Sequence, residues 1–235
     1  MKYPLAALLA GALLGLFAAS TKPAFAQWAP TERVNYVIGV APGGTVDLYA
    51  RGIQKALESL HLTNGQLVLA YNKPGAGGAI AMQELESKAG NAHYLGTFHT
   101  GAIAGAVTGL IRADPRTFVP VAMMVEETSL VAVRSDSALN DAHDLVAALR
   151  ADPGKLRVAV APALGQNTHM GIAKPLKAAG VAIEQMTVVA FRSSGDSVMA
   201  LLGGHVDVVS ATAPVILPHV ASGKLRIVAS AAPVP

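Results

Sequence analysis

The chain has 235 residues, is 52% hydrophobic and only 5% aromatic, and carries a formal charge of +3 with no cysteine. The missing cysteine excludes disulfides, thiolate metal sites and a lipid-modified cysteine behind a leader. The small charge and the scarcity of aromatic rings argue against a nucleic-acid surface.

Lys2 precedes the apolar run "PLAALLAGALLGLFAA", and "PAFA" then ends in an A-x-A pattern at Ala26. This order predicts a secretory signal peptide over 1–26, cleaved after Ala26. The run is interrupted by Gly11 and Gly15 and is short for a bilayer span. The mature chain is expected outside the cytoplasm, in the periplasm of a Gram-negative source.

From there a short apolar β-type run, a Gly- or Ser-bearing loop and a helical pattern recur, which is the signature of parallel sheets covered by helices. "VNYVIGV" (34–40) reads as a buried strand; Val46, Tyr49, Ala50, Ile53, Leu57 and Leu60 then share one helix face. "QLVLAYN" (66–72) is the next strand, "KPGAGG" (73–78) a second glycine loop, 79–89 a helix and "YLGTFHT" (94–100) a third strand. "FVPVAMMVEETSLVAVR" from 118 reads as two extended runs crossing into a second lobe. A helix ending at Pro153 and Gly154 follows, then strand 157–161, helix 167–179, strand 186–191, helix 196–203, strand 206–211, helix 213–225 and strand 226–232.

Loops at the carboxyl ends of parallel strands, where helices begin, are where such sheets bind ligands. A helix start offers unpaired N–H groups and a partial positive charge, so it attracts carboxylate or phosphate without a basic side chain. In "APGGTVDLYAR" (41–51), Gly43 and Gly44 allow close backbone approach and Thr45 can cap the helix. Neither glycine loop has the lysine of a Walker motif or the spacing of a dinucleotide fingerprint. "FRSSGDS" lacks the G-x-S-x-G elbow, no histidine has a neighbour marking it as a base, and no metal-ligand spacing occurs. No catalytic residue, metal or cofactor is therefore expected.

Each candidate also has a plain structural reading. Asp47 complements the helix dipole and lies four residues before Arg51, at ion-pair spacing. His99 and Thr100 follow the third strand and fit either site lining or loop packing; Gln166, Asn167 and Thr168 fit either helix capping or ligand contact. His205 reads as a loop residue.

"APGGTVDLYAR" followed by "NKPGAGG" resembles the paired signature of the Bug-type substrate-binding proteins of tripartite tricarboxylate transporters. The similarity continues through "DPGKLRVAVAPALGQNTHMGI", "VVAFRSSGDSVMALLGGHVDVV" and "LPHVASGKLRIVAS". It implies an α/β two-lobed periplasmic binding protein of the type II kind, each lobe a sheet flanked by helices, with the ligand cleft between lobes. The lobes would be 27–117 and 118–225, with 226–235 starting a return to the first. It implies a monomeric receptor that takes a small mono-, di- or tricarboxylate and hands it to membrane permease subunits. Gly43, Gly44, Thr45 and Asp47 of the first loop and Gly75, Ala76 and Gly77 of the second would hold one carboxylate. Gln166, Asn167, Thr168, Phe191, Arg192 and Ser193 would set specificity, with Arg192 meeting a second acidic group.

The sequence departs from the family pattern at Ala161, Pro162, Phe191 and Ser193, which implies a less polar wall at the far end of the ligand. Family members continue past the equivalent of Pro235, so the resemblance also implies a first lobe lacking segments, with exposed apolar surface and sheet edges. A receptor that presents its ligand to a membrane sensor, a hydrolase-like enzyme using Ser194, and a fragment without function are the alternative readings.

Overall fold

A computed structural model describes residues 28–107, 109 and 111–232; the expected leader lies outside these residues. The elements are β1 (Val34–Ile38), α1 (Thr45–Ser59), β2 (Val68–Asn72), α2 (Ala79–Glu86), β3 (Tyr94–Thr97) and α3 (Thr100–Val107). After them come β4 (Ser129–Arg134), α4 (Ala142–Ala151), β5 (Arg157–Val160), α5 (Asn167–Ala178), β6 (Thr187–Ala190), α6 (Ser194–Leu202), β7 (Val208–Thr212), α7 (Ala213–Ala221) and β8 (Leu225–Ser230).

Two sheets form. The first is three-stranded and parallel, ordered β2-β1-β3. All five residues of β1 are buried, as expected of a central parallel strand covered on both faces. Val34, Tyr36, Ile38, Val40, Ala50 and Val68 make its core, against which Val46, Ile53 and Leu57 of α1 pack.

The second sheet is ordered β6-β5-β7-β4-β8, with β5 parallel to β6 and β7 and β4 antiparallel to β7 and β8. Alternation along its strands divides the core in two. Val131, Val133, Val158 and Val160 join Leu145, Leu149, Ile172 and Leu176 on one face, under α4 and α5. Ala132, Ala159 and Val209 join Val198, Leu201 and Ile216 on the other, under α6 and α7. Each lobe is therefore an α/β sheet flanked by helices. Among the described residues no helix is long and apolar enough to cross a membrane.

The structure differs from the sequence reading at three places. Residues 119–128 form no strand, and Val119, Val121 and Met123 of this stretch are exposed. An apolar run becomes a strand only where a neighbour supplies its ladder, and Pro120 has no N–H to offer one. The segment from 226, read as leaving the second lobe, is instead hydrogen-bonded along β4 through Ser230, which makes β8 an edge of the second sheet. Helix α3 had no expected counterpart. Its sequence "TGAIAGAV" holds two glycines, which weaken a helical signal, but both are packing positions: a Cβ would lie 2.8 Å from the Gln166 Cβ at Gly101 and 2.9 Å from the Ile111 Cδ1 at Gly105.

Candidate functional site

The loops that end β1, β2, β5, β6 and β7 meet between the two sheets. Three hydrogen bonds cross there: Thr45 Oγ1 to Thr212 Oγ1 at 2.6 Å, Gln166 Nε2 to the Gly77 carbonyl at 3.0 Å, and the Tyr49 hydroxyl to Glu127 Oε1 at 2.8 Å. Backbones approach closely as well. A Cβ on Gly44 would stand 3.1 Å from the Ser193 Cβ, and one on Gly195 would stand 2.5 Å from the Gly43 carbonyl oxygen. The lobes are thus closed on one another.

Between them lies a cavity of about 50 Å³. One water needs about 10–15 Å³ on this measure, so the space suits a compact solute rather than a single solvent molecule. Its lining comes from Val40, Gly44, Thr45 and Val46 after β1, His99 after β3, Glu127 before β4, and Ala161, Pro162, Asn167 and Thr168 after β5. Ser193, Ser194 and Thr212 complete it.

Four helix starts converge on this space: α1 behind Gly44, α5 behind Gln166, α6 behind Ser193 and α7 behind Thr212. Gly44, Gln166 and Thr212 give no side-chain cap, so the first N–H groups of α1 and α5 keep their capacity to donate, as does that of Ala213 in α7, where Pro214 has none. Ser193 does cap α6, accepting from the Asp196 N–H at 3.1 Å. Among the described residues, the lining contains no lysine or arginine.

His99 adds a donor of another kind. Its Nδ1 accepts from the Ala102 N–H at 3.2 Å, which places the ring proton on Nε2. That Nε2 is buried without a partner, and burial pulls the imidazole down to about 4, so the ring is neutral at physiological pH. The arrangement presents several neutral donors and partial positive charges to one small space. It can hold an anion by hydrogen bonds without an ion pair.

Asp47 is not part of that lining. Its carboxylate is buried and accepts from the Gly43 N–H at 3.0 Å, from Asn72 Nδ2 at 2.8 Å and from Arg51 Nε at 3.1 Å. Burial pushes the carboxyl up, but the bonds from Asn72, Gly43 and Arg51 outweigh it and hold the group below the usual carboxylate range. Asn72 also donates to the Val40 carbonyl at 2.9 Å. Asp47 therefore ties the first glycine loop to the end of β2, and Arg51 reaches Asn72 Oδ1 at 2.9 Å to close the network.

Of the residues expected at the site, Gly44, Thr45, His99, Asn167, Thr168 and Ser193 line the cavity. Gly43, Asp47, Gly75, Ala76, Gly77, Thr100, Gln166, Phe191 and Arg192 do not. Gly77 has φ +66° and uses its carbonyl in the clasp with Gln166, so the second loop joins the lobes instead of lining the space. Thr168 Oγ1 bonds the Ala161 carbonyl at 2.5 Å, holding the α5 start to the end of β5. Phe191 packs on the core of the second lobe, and Arg192 is exposed.

Val40, Val46, Glu127, Ser194 and Thr212 line the cavity without having been expected there, and Ala161 and Pro162, read from the sequence as departures that make the ligand wall less polar, line it as well. Thr212 carried a readable signal, because it ends a strand and precedes a helix with proline in its first turn. Glu127 carried none. It is exposed overall, yet the packing of its carboxyl against the site pushes it above the usual range despite hydrogen bonds from the Tyr49 and Thr212 hydroxyls. Among the described residues no group of three or more His, Asp or Glu could hold a metal ion.

Comparison with known proteins places this geometry in context. The profile of TctC, the tripartite tricarboxylate transporter family receptor, matches residues 50–232. BugT of Bordetella pertussis is 30% identical over 226 residues, covering 93% of this chain and 67% of that one. A UPF0065 protein encoded between tcbD and tcbE in Pseudomonas sp. strain P51 is 31% identical over 202 residues, covering 85% and 58%. The chain thus spans 58% and 67% of the lengths of these two curated relatives. Among solved structures, MatC of Rhodopseudomonas palustris with bound malate has a TM-score of 0.76 at 26% identity, covering 87% of this chain and 68% of that one.

Proposed function

Because the chain belongs to the tripartite tricarboxylate transporter receptor family, we propose that it is a periplasmic solute receptor that binds a small organic carboxylate and delivers it to membrane permease subunits. The observation that carries this reading is the convergence of four helix starts, three of them without a side-chain cap, and of the neutral His99 on a cavity lined by no basic side chain. Such donors stabilise a negative charge through the partial positive charge of helix N-termini and through preformed N–H groups. Family relatives fit the reading, since MatC was solved with malate.

In this proposal the ligand carboxylate sits against the α1 and α5 starts, within reach of Thr45, Asn167 and His99. The second lobe then closes by hinge motion, and the Thr45–Thr212 and Gln166–Gly77 hydrogen bonds latch the closed form. Gly195 sets how far closure can go, because a Cβ there would meet the Gly43 carbonyl. The permease would read that closed form and release the ligand on the far side. The receptor works without chemistry on its ligand.

The test is thermal unfolding of the purified chain against a panel of mono-, di- and tricarboxylates, with sulfate and phosphate as controls. A ligand that binds the folded form raises the midpoint in a concentration-dependent way. At least one carboxylate should do so, and more strongly than either inorganic anion. No shift with any carboxylate would overturn the proposal.

A further inference from the structure

The lining holds two titratable side chains, His99 and Glu127, and they offer opposite chemistry. His99 presents a proton on Nε2; Glu127 presents oxygens that only accept. One of those oxygens already receives the Tyr49 hydroxyl, at 2.8 Å. No basic side chain lines the cavity to balance the carboxylate, for Arg51 is engaged with Asp47 and Asn72, and Arg192 is exposed outside the lining.

A ligand seated by one carboxylate on the helix starts would therefore meet an acceptor elsewhere on the wall. A second ligand carboxylate brought there would face a like charge across a space of about 50 Å³, with no cation to screen it. A hydroxyl or ammonium group would instead donate to Glu127.

We propose that Glu127 is a specificity residue that makes this site take a compact monocarboxylate with a hydrogen-bond donor at its far end, and disfavour the matching dicarboxylate. The inference rests on the carboxylate-receptor reading and narrows it, setting this chain apart from the malate-bound relative. Burial raises the Glu127 carboxyl above its ordinary value of 4.5, and the hydroxyls bonded to it oppose that rise.

The experiment is calorimetric titration of the purified chain and of Glu127→Gln at about pH 7.5 with two matched series. One is propionate, its terminally hydroxylated and terminally aminated forms, and malonate; the other is the equivalent butyrate series with succinate. In the wild-type chain the hydroxylated or aminated acid should bind at least about tenfold tighter than the diacid. Glu127→Gln should bring the two within about threefold of one another. A tighter aminated acid identifies an ion pair as the preferred contact, and a tighter hydroxylated one a neutral hydrogen bond; either supports the proposal.

A diacid that binds the wild-type chain as well as its donor-bearing partner overturns it. So does a preference that survives unchanged in Glu127→Gln. The wild-type comparison needs no variant, so a poorly folded Glu127→Gln does not remove the test. Should no acid of these series or of the wider carboxylate panel bind, the receptor reading itself fails. Binding in the wide panel without discrimination here sinks only the role of Glu127.

Discussion

Replacing Asp47 by alanine removes the acceptor that joins the Gly43 N–H to Asn72 and Arg51. A hydrogen bond to a charged group is worth about 1.5–3 kcal/mol, and its buried donor is left unpaired when the acceptor goes. Two donors in part-buried bonds, the Gly43 N–H and Asn72 Nδ2, face Asp47, and Asn72 Nδ2 keeps its second bond to the Val40 carbonyl. The Arg51 side chain is 46% exposed, so its ion pair adds only about 0–1 kcal/mol. Partial relaxation of the loop keeps these terms from adding fully, and we expect a loss of about 3–5 kcal/mol of folding stability. Asp47→Asn keeps one acceptor in place and should lose about half as much. Because hydrogen bonding holds the carboxyl below 3.8 in the folded chain, this contribution is complete above that pH and is lost as pH falls through the folded value.

Urea unfolding followed by circular dichroism measures the stability change, and carboxylate titration of the folded fraction measures binding. Asp47→Ala should lower both, because the loop that carries Gly44 and Thr45 is no longer held to β2. Asp47→Asn should fall between the wild-type chain and Asp47→Ala in both assays. A loss of stability below about 1 kcal/mol together with collapse of binding would refute this account. Asp47 would then be a ligand contact and not a scaffold.

Gly195→Ala places a methyl 2.5 Å from the Gly43 carbonyl oxygen, so the lobes must stay further apart. Carboxylate affinity should drop at least about tenfold while urea stability of the unliganded chain stays within about 1 kcal/mol of wild type; unchanged affinity would show that closure does not need this approach. Burial holds the His99 imidazole neutral down to about 4 instead of its ordinary 6.5, so the unfolded chain binds the proton first as pH falls. Stability is therefore complete above about pH 6.5 and declines on the order of 3 kcal/mol by about pH 4, with His169, also held down by burial, adding a loss of the same sign. His99→Gln should flatten most of that slope in unfolding measured across this range, and an unaltered slope would remove His99 as its cause.

Local pattern carried much of the fold. Largely apolar runs such as 34–38 and 158–160 record burial on both faces of a parallel strand, and the spacing of Val46, Ile53 and Leu57 records one buried face of α1, because each reflects a repeat of the backbone itself. The same locality made helix starts legible, which is why Gly44, Thr45, Asn167 and Thr168 could be read as candidates, whereas Ser193 came only with the family resemblance; all five line the cavity. Where a feature depended on a partner, local pattern was insufficient: 119–125 is apolar but has no strand beside it, and β8 stays in the second sheet because β4 offers it an edge.

The site shows the same division more sharply. That Asp47 turns to Asn72 rather than to the cavity, that Arg192 stays exposed and that Thr45 bonds Thr212 across 167 positions are facts of packing. Glu127 enters the lining because the closed lobes bring Tyr49 to its carboxylate while the pairing of β4 with β7 sets Thr212 beside it. The sequence by itself determined where the helices other than α3 begin and so where N–H groups are free to donate. Only the tertiary structure decided which of those starts share one space and which side chains stand within reach of it. The physical reason is that backbone periodicity acts over a few residues, whereas convergence depends on the docking of surfaces far apart along the chain.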